Sequence, residues 1–349
     1  MEKARRDIRA LSLDELRRFF TSHTIPAFKG DQVFEWLWTK GCHNFMEMTN
    51  LSKSHRSLLK ENFVINHIAV DQLQRSVDGT IKNAIRLHDG YFVESVLIPT
   101  DTRSTACVSS QVGCSLDCHF CATAKLKRMR NLNPDEIYDQ VLEIDKQSRL
   151  YYNRPLTNIV FMGMGEPLMN YKNTLAAIDR ITSPNGLGMS PKRITVSTSG
   201  ISKIIRLISD LKPKFKLAVS LHSAIEDTRN RLMPFTKTFP LDKLLEAIKY
   251  WYEKTKSQVT FEVVIWKGIN DKQVDIDALI AYCKQVPSKV NLIEYNTIGD
   301  DQFLQARPDA VSAYTTALEN NQISVTVRRS RGKDIDAACG QLANNNNEF

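Results

Sequence analysis

The stretch CVSSQVGCSLDCHFCAT, residues 107–123, contains four of the chain's seven cysteines within fifteen positions. Three of them have the spacing Cys114-x3-Cys118-x2-Cys121, which places three thiols on one loop after a strand-like run. Iron–sulfur clusters are held by such thiolates, and three ligands on a four-iron cluster would leave one iron open. A structural zinc needs four ligands, and Cys107 or His119 could complete that set. The spacing therefore favours an iron–sulfur cluster and leaves zinc as an alternative.

The composition is that of an ordinary folded protein. The 349 residues are 42% hydrophobic and 25% charged, which fits neither a disordered chain nor a disulfide-dense mini-protein. No window approaches the roughly 18 uncharged apolar residues of a membrane span. The opening MEKARRDIRALSLDEL contains no apolar signal segment. We therefore expect a cytoplasmic protein without membrane association, in which thiols stay reduced.

The charge balance points to a polyanionic partner. Lys and Arg number 47 against 39 Asp and Glu, which gives a net charge of +8. The excess is grouped in three clusters: Lys125, Lys127, Arg128 and Arg130; Lys212, Lys214 and Lys216; Arg328, Arg329, Arg331 and Lys333. Each cluster alone could be a solvated face, and only their combination favours RNA or DNA.

The pattern of apolar residues divides the chain into regions. Residues 12–62 have apolar residues at helical spacing, and residues 68–99 read as short strands separated by Gly-containing turns. Beyond these, strand-like runs alternate with helical stretches, which predicts a parallel sheet with covered faces. An open sheet and a complete or partial (β/α) barrel both fit this alternation. We predict a helical accessory domain over 1–65, a β-hairpin connector over 66–100, an α/β domain over 101–343 and a disordered tail over 344–349.

Polar segments follow several of the predicted parallel strands. They are GMGEP (163–167), STSG (197–200), SLHS (220–223) and the pair Tyr295 and Asn296. Active sites of parallel α/β folds lie at the carboxyl ends of the strands, because each strand passes its side chains to the loop above it. The chemistry should therefore be found at that edge.

The loop CSLDCHFC resembles the signature of radical S-adenosylmethionine (SAM) enzymes. The surrounding words CVSSQVGC, FMGMGEPLMN, STSG, SLH, NLIEYN and IDAACGQLA resemble the bacterial methyltransferases that act on C2 of adenine in RNA. The likeness covers nearly the whole chain. It implies a partial (β/α) barrel of the radical SAM type with a small N-terminal helical domain.

The resemblance also implies the cofactor-binding residues. Cys114, Cys118 and Cys121 match the three ligands of a [4Fe–4S] cluster, whose open iron would bind the methionine part of SAM. Gly165 and Glu166 match residues that hold the amino end of SAM, and a carboxylate beside an ammonium explains that choice. Further SAM contacts are implied at Ser197, Ser220, Leu221, His222 and Asn296.

The resemblance implies a covalent mechanism that consumes two SAM molecules per turnover. Cys339 would accept a methyl group from the first SAM, and a radical made from the second would remove hydrogen from that methyl group. The carbon radical would then add to C2 of adenine, joining protein to RNA. Cys107 would attack the Cys339 sulfur to release the product through a transient disulfide. Glu94 would remove the C2 proton.

The implied substrates are adenine 2503 of 23S rRNA and adenine 37 of tRNA. The implied protein is a monomer that receives electrons from a donor such as a flavodoxin or ferredoxin.

A related enzyme that methylates C8 of the rRNA adenine shares the cysteines. Pro167 resembles the C2 enzymes, since the C8 enzyme typically has alanine at this position. A zinc-containing, non-enzymatic RNA-binding protein is an alternative of another class. The segment AKLKRMRNL (124–132) departs from the Gly-containing turn of many relatives.

Overall fold

The structure is a computed structural model that describes residues 5–299 and 302–343. The tail predicted over 344–349 lies outside the described residues. No helix of the described part combines the length and apolar character needed to cross a membrane.

Residues 13–62 contain three helices, as their periodicity predicts. These helices are α1 (Leu13–Ser22), α2 (Phe28–Trp38) and α3 (Lys53–Asn62), and the short parallel strands β1 (Arg6–Asp7) and β2 (Phe63–Val64) bracket them. Helix α1 begins at a capping box, in which the Ser12 and Glu15 side chains each accept a bond from the other residue's N–H.

A buried charge cluster fixes the helical region to the rest of the molecule. The Arg9 guanidinium donates to Asp139 at 2.7 Å and to Asp135 at 3.0 Å. Both carboxylates lie on α5 (Pro134–Tyr152), where Tyr138 also donates to the Trp38 carbonyl. Because these groups are buried and paired, they hold the N-terminal helices in one orientation against α5.

The predicted hairpin region is present as three antiparallel strands. They are β3 (Ala69–Arg75), β4 (Ile81–Arg86) and β5 (Phe92–Pro99). Gly79 and Gly90, in the two connecting turns, have φ values of 86° and 85°, which favour glycine. Strand β5 pairs with β6 (Ser104–Cys107) and joins the hairpin to the main sheet.

Seven parallel strands form the rest of the ten-stranded sheet. In spatial order they are β6, β9 (Asn158–Phe161), β10 (Ile194–Thr198), β11 (Lys216–Ser220), β12 (Val259–Val264), β13 (Ser288–Ile293) and β14 (Ser324–Arg328). A separate antiparallel pair, β7 (Gln111–Val112) and β8 (Arg130–Asn131), flanks the cysteine loop. Within the described residues β14 pairs with β13 alone, so the curved sheet is a partial barrel, as predicted.

Helices cover the outside of the sheet. Besides α5 they are α6 (Tyr171–Thr182), α7 (Ser202–Asp210), α8 (Glu226–Leu232), α9 (Leu241–Thr255), α10 (Gln273–Cys283) and α11 (Pro308–Asn320). The short helix α4 (Ala122–Lys125) instead follows Cys121 directly, and its Thr123 and Ala124 line a cavity at the carboxyl ends of the strands. Single 3-10 turns occupy Ile8–Ala10, Phe45–Glu47, Pro167–Asn170, Pro191–Arg193, Pro234–Thr238 and Lys333–Ile335. The main core lies between this layer and the sheet, where Val196, Ile205 and Trp251 are buried.

The C-terminal segment, residues 329–343, crosses from β14 towards the hairpin. Asp78 accepts from the Gly332 N–H at 2.9 Å, and Asp334 accepts from the Ser76 hydroxyl at 2.6 Å. Near the end of the segment, the Thr123 hydroxyl donates to the Leu342 carbonyl. These bonds hold the segment beside the cysteine loop.

Candidate active site

The carboxyl ends of the parallel strands surround a cavity of about 170 Å³, here called the upper cavity. Ten of the residues singled out from the sequence line it: Cys114, Cys118, Cys121, Gly165, Glu166, Ser197, Ser220, His222, Asn296 and Cys339. This placement agrees with the expectation that polar residues after successive strands converge at one edge.

The three cysteines of the loop share one environment. Burial, together with the neighbouring thiols, raises the pKa of the Cys114 thiol to about 11 and that of the Cys118 thiol well above its usual value. Among the described residues, no group of three His, Cys, Asp or Glu side chains is arranged so that it could bind one metal ion. A cubane places its thiolate ligands on different irons, so three adjacent but separated thiols fit a [4Fe–4S] cluster, which would bind them as thiolates.

The GMGEP loop approaches residues 108–111, just before the cysteine loop, closely enough to require glycine. A Cβ on Gly163 would lie 2.7 Å from the Ser109 hydroxyl oxygen, and one on Gly165 would lie 2.4 Å from the Gln111 Cβ. Gly165 also has φ of 89°, which a side chain would strain. The two glycines therefore let the backbone after β9 line the upper cavity.

Glu166 joins two loops of the upper cavity. Its carboxylate accepts from the Ser199 N–H at 2.7 Å and from the Leu168 N–H at 2.9 Å. Burial raises the pKa of this carboxyl. The side chains of Thr198 and Ser199 also hydrogen-bond to this carboxylate, so Glu166 is held in a fixed position in the wall of the upper cavity.

His222 adopts a backbone conformation unusual for a residue with a side chain, with φ of 57°. Its Nδ1 accepts from the Val264 N–H at 3.2 Å, which places the proton of the neutral ring on Nε2. Burial, with the nearby Arg229 charge, lowers the pKa of His222 to about 3. The ring is therefore neutral and packs against Phe120, with ring centroids 4.7 Å apart.

Asn296 offers a buried polar atom to a ligand. Its Nδ2 donates to the Cys339 carbonyl at 3.3 Å, whereas its Oδ1 has no hydrogen-bond partner among the described residues. A buried acceptor without a partner costs free energy unless a ligand or water supplies a donor. SAM carries an ammonium and ribose hydroxyls, so this atom fits a SAM site.

Cys339 and Cys107 meet at a second cavity of about 390 Å³, the lower cavity, which opens at the amino ends of the strands. Both thiols line it, and Cys339 lines the upper cavity as well. Burial and then the nearby Cys339 raise the pKa of Cys107 to about 12. All seven cysteines are free thiols.

Two predicted site residues lie outside the linings of both cavities. Leu221 is buried between the lining residues Ser220 and His222. Glu94 is buried on β5, with its Oε1 3.4 Å from the Lys82 Nζ, and its Oε2 accepts from the Ala343 N–H at 2.9 Å. The carboxylate thus contacts the C-terminal segment that carries Cys339.

Comparison with known proteins gives two family matches. Residues 108–280 match the radical SAM superfamily, and residues 7–65 match the ribosomal RNA large subunit methyltransferase N-terminal domain. A probable dual-specificity RNA methyltransferase RlmN of Flavobacterium psychrophilum is 68% identical over 344 residues, or 99% of each chain. The chain belongs to the RlmN family. A dual-specificity RNA methyltransferase RlmN of Geotalea uraniireducens is 39% identical, covering 98% of this chain and 97% of its own.

A solved structure supports the same assignment. The crystal structure of a radical SAM methyltransferase from Sphaerobacter thermophilus superposes with a TM-score of 0.90 at 35% identity, covering 97% of this chain and 99% of that chain. The predicted radical SAM fold and enzyme class are therefore confirmed, and the zinc-binding alternative is not supported. As a radical SAM enzyme of the RlmN family, the protein uses a [4Fe–4S] cluster and SAM.

Sequence reasoning missed three groups in this RlmN-family site. Arg229 on α8 is fully buried and donates to the carbonyls of Ser199 and Ser220, at the ends of two strands. Gln111 accepts from the Glu166 N–H at 2.9 Å. Arg328, assigned from sequence to a basic cluster, instead pairs with Glu262 at 3.2 Å inside the barrel. Of these three residues, only Gln111 lies in a segment, CVSSQVGC, that was singled out from the sequence for its resemblance to the family.

Proposed function

We propose that this protein methylates C2 of adenine in RNA, at position 2503 of 23S rRNA and position 37 of tRNA. The observation that carries the proposal is the position of Cys339, which lines both cavities, beside Cys107 in the lower one. Carbon C2 has no lone pair to attack a methyl donor, so a thiol that carries the methyl group between SAM and RNA meets a chemical need.

The site residues predicted from the sequence have proposed parts in this reaction. Cys114, Cys118 and Cys121 hold the cluster, while Gly165, Glu166, Ser197, Ser220, His222 and Asn296 bind SAM, with Leu221 placed between two of them. When bound, the cluster delivers the electron that cleaves SAM, and SAM supplies both the methyl group and the hydrogen-abstracting radical. The chain's residues orient these groups and keep the radical away from water.

The two remote cysteines divide the covalent work. The Cys339 thiolate takes the methyl group from one SAM, and after a second SAM has been consumed its methylene carbon becomes bonded to C2. Glu94 removes the C2 proton, and the Cys107 thiolate attacks the Cys339 sulfur. The radical adduct would first return one electron to the cluster. The attack then breaks the bond between the Cys339 sulfur and the methylene carbon as the disulfide forms, and the carbon, which leaves with the electron pair of that bond, takes up a proton to become the methyl group on C2. A thiol reductant would return the disulfide to two thiols, and two SAM molecules are used per turnover.

Two features support C2 over C8 as the target. Residues 7–65 match the N-terminal domain of ribosomal RNA large subunit methyltransferases, and the relatives are named RlmN. Pro167, which follows Glu166 and begins a 3-10 turn, agrees with the C2 enzymes.

Other parts of the proposal concern partners and organisation. We propose that residues 1–65 form an RNA-binding accessory domain, residues 66–100 a connector and residues 101–343 the catalytic barrel. The protein would act as a cytoplasmic monomer and receive electrons from a flavodoxin or ferredoxin.

Product analysis tests the assignment. The anaerobically reconstituted protein, with reductant and SAM, should convert an unmodified tRNA and a 23S rRNA fragment to products that contain 2-methyladenosine after digestion, as measured by mass spectrometry against standards. Formation of 8-methyladenosine, or of no methyladenosine with either RNA, would contradict the proposal.

A further inference from the structure

The lower cavity has its opening among the first residues of the barrel strands. Thr105, Asn158, Thr195, Lys216, Thr260 and Lys289 line it, and each is the first or second residue of its strand. The loops that line the upper cavity follow the opposite ends of the same strands. The barrel therefore has two entrances, one on the SAM side and one at the amino ends.

The lining of this lower entrance is strongly cationic. Six basic residues contribute to it against one acidic residue, Glu262: Arg103, Lys216, Lys289, Arg328, Arg329 and Arg331. The side chains of Arg103, Lys216 and Lys289 form neither an ion pair nor a hydrogen bond with any other described residue. Burial, and then the nearby charges of Lys289 and Arg103, lower the pKa of Lys216. Grouped like charges repel one another, and an anion bound among them would relieve that repulsion.

The two cavities meet at the methyl-carrying thiol. Met162, Glu262, Ile293, Arg328 and Cys339 line both, whereas Cys107 lines only the lower one. A base that reached Cys339 from below would meet the releasing thiol on the same side, without passing the SAM loops.

We infer that RNA docks at the amino-terminal mouth of the barrel, with the target adenine inserted into the lower cavity and the flanking phosphates bound by Arg103, Lys216 and Lys289. The inference rests on the proposed function and adds the entrance and the residues that recognise the backbone. Enzymes that modify a base withdraw it from its stack into a pocket, and phosphate contacts hold the strand in register.

A pair of double variants tests this inference. Lys216→Gln with Lys289→Gln removes two charges at the mouth, and Lys214→Gln with Lys284→Gln removes two exposed charges that lie nearby but outside the cavity lining. Binding of a labelled RNA hairpin to the reconstituted holoenzyme is measured by fluorescence anisotropy at several salt concentrations.

The mouth variant should bind RNA about tenfold more weakly at low salt, and its slope of log K against log salt should be shallower by ~1.4, since each lost phosphate contact contributes ~0.7. The control should bind like the parent. Both variants should still methylate Cys339 with SAM alone, as read by intact mass, which shows that the SAM side is intact.

Three results would overturn the inference. The mouth variant could bind RNA as tightly as the parent, or the control could lose as much affinity, which would make the effect one of general charge. The third result concerns adenosine monophosphate, which could bind saturably to the parent and more weakly to the mouth variant. If RNA binding were unchanged in that variant, the mouth would be a site for a free phosphate compound. A parent that binds no RNA would contradict the proposed function itself.

Discussion

The guanidinium of Arg229 donates a hydrogen bond to the main-chain carbonyl of Ser220 at 2.9 Å. The same side chain donates to the Ser199 carbonyl at 2.7 Å. Burial lowers the pKa of Arg229 to about 10, so it stays charged at neutral pH. One buried cation thus joins the loops that follow β10 and β11, and both loops line the upper cavity.

Arg229→Met should loosen both loops. A hydrogen bond to a charged group contributes about 1.5–3 kcal/mol, so we expect the free energy of unfolding to fall by about 3 kcal/mol. The affinity for SAM should fall at least about tenfold, and Arg229→Lys should restore part of it because one cation can still reach a carbonyl. The exposed Arg231→Met on the same helix is the control. Equilibrium SAM binding equal to the parent's in Arg229→Met would refute this role.

His222 should make the fold sensitive to acid. Its folded-state pKa of about 3 lies below the value of 6.5 expected when unfolded, so between pH 6.5 and about pH 3 the unfolded chain takes up the proton and the folded chain does not. Stability should therefore fall as the pH drops, by about 2 kcal/mol between pH 7 and pH 5. His222→Asn, which tolerates a positive φ, should remove that part of the pH dependence. Urea unfolding of the metal-free chain measures it, with the exposed His119→Asn as control, and equal slopes in all three proteins would show that His222 is not responsible.

The iron content of alanine variants should distinguish the three loop cysteines from the other cysteines. Cys118→Ala should lose the cluster and SAM cleavage, whereas Cys107→Ala and the buried Cys283→Ala should each keep about four irons per chain. Iron and sulfide analysis after anaerobic reconstitution provides the measurement. A full cluster in Cys118→Ala would exclude it as a ligand.

Glu94 can be tested as a base separately from its contact with Ala343. Glu94→Gln keeps an oxygen that can accept from the Ala343 N–H but cannot take up a proton. If Glu94 is the base, this variant should methylate Cys339 normally and lose RNA methylation about 100-fold, as general-base contributions suggest. If Glu94 only anchors the C-terminal segment, Glu94→Gln should remain active and Glu94→Ala should fail.

The sequence predicts the parts of the fold that depend on local patterns. Alternating apolar runs identify the parallel strands and their helices, and the polar segments after those strands identify most of the upper cavity. The hairpin follows from short strands around Gly79 and Gly90, whose turn conformations are local properties.

Contacts between distant residues escape such patterns. Arg130 and Arg328 look like members of basic surface clusters, yet Arg130 pairs with Glu136 and Arg328 with Glu262. Lys216 begins β11 and Lys289 lies near the start of β13. They line the same cavity because the sheet places these two strands on either side of β12. Long-range pairing therefore decides which charges are available at the surface, and the sequence alone does not reveal it.

The most direct test of the covalent methyl transfer is the intact mass of Cys107→Ala after reaction with RNA and SAM under reducing, anaerobic conditions. The variant keeps Cys339, the proposed methyl carrier, and lacks the thiol proposed to release the product, so one chain should accumulate joined to RNA through a methylene carbon on Cys339. Cys339→Ala should form neither the adduct nor methylated RNA. Normal turnover by Cys107→Ala, or methylation of adenine C2 by Cys339→Ala, would contradict the mechanism.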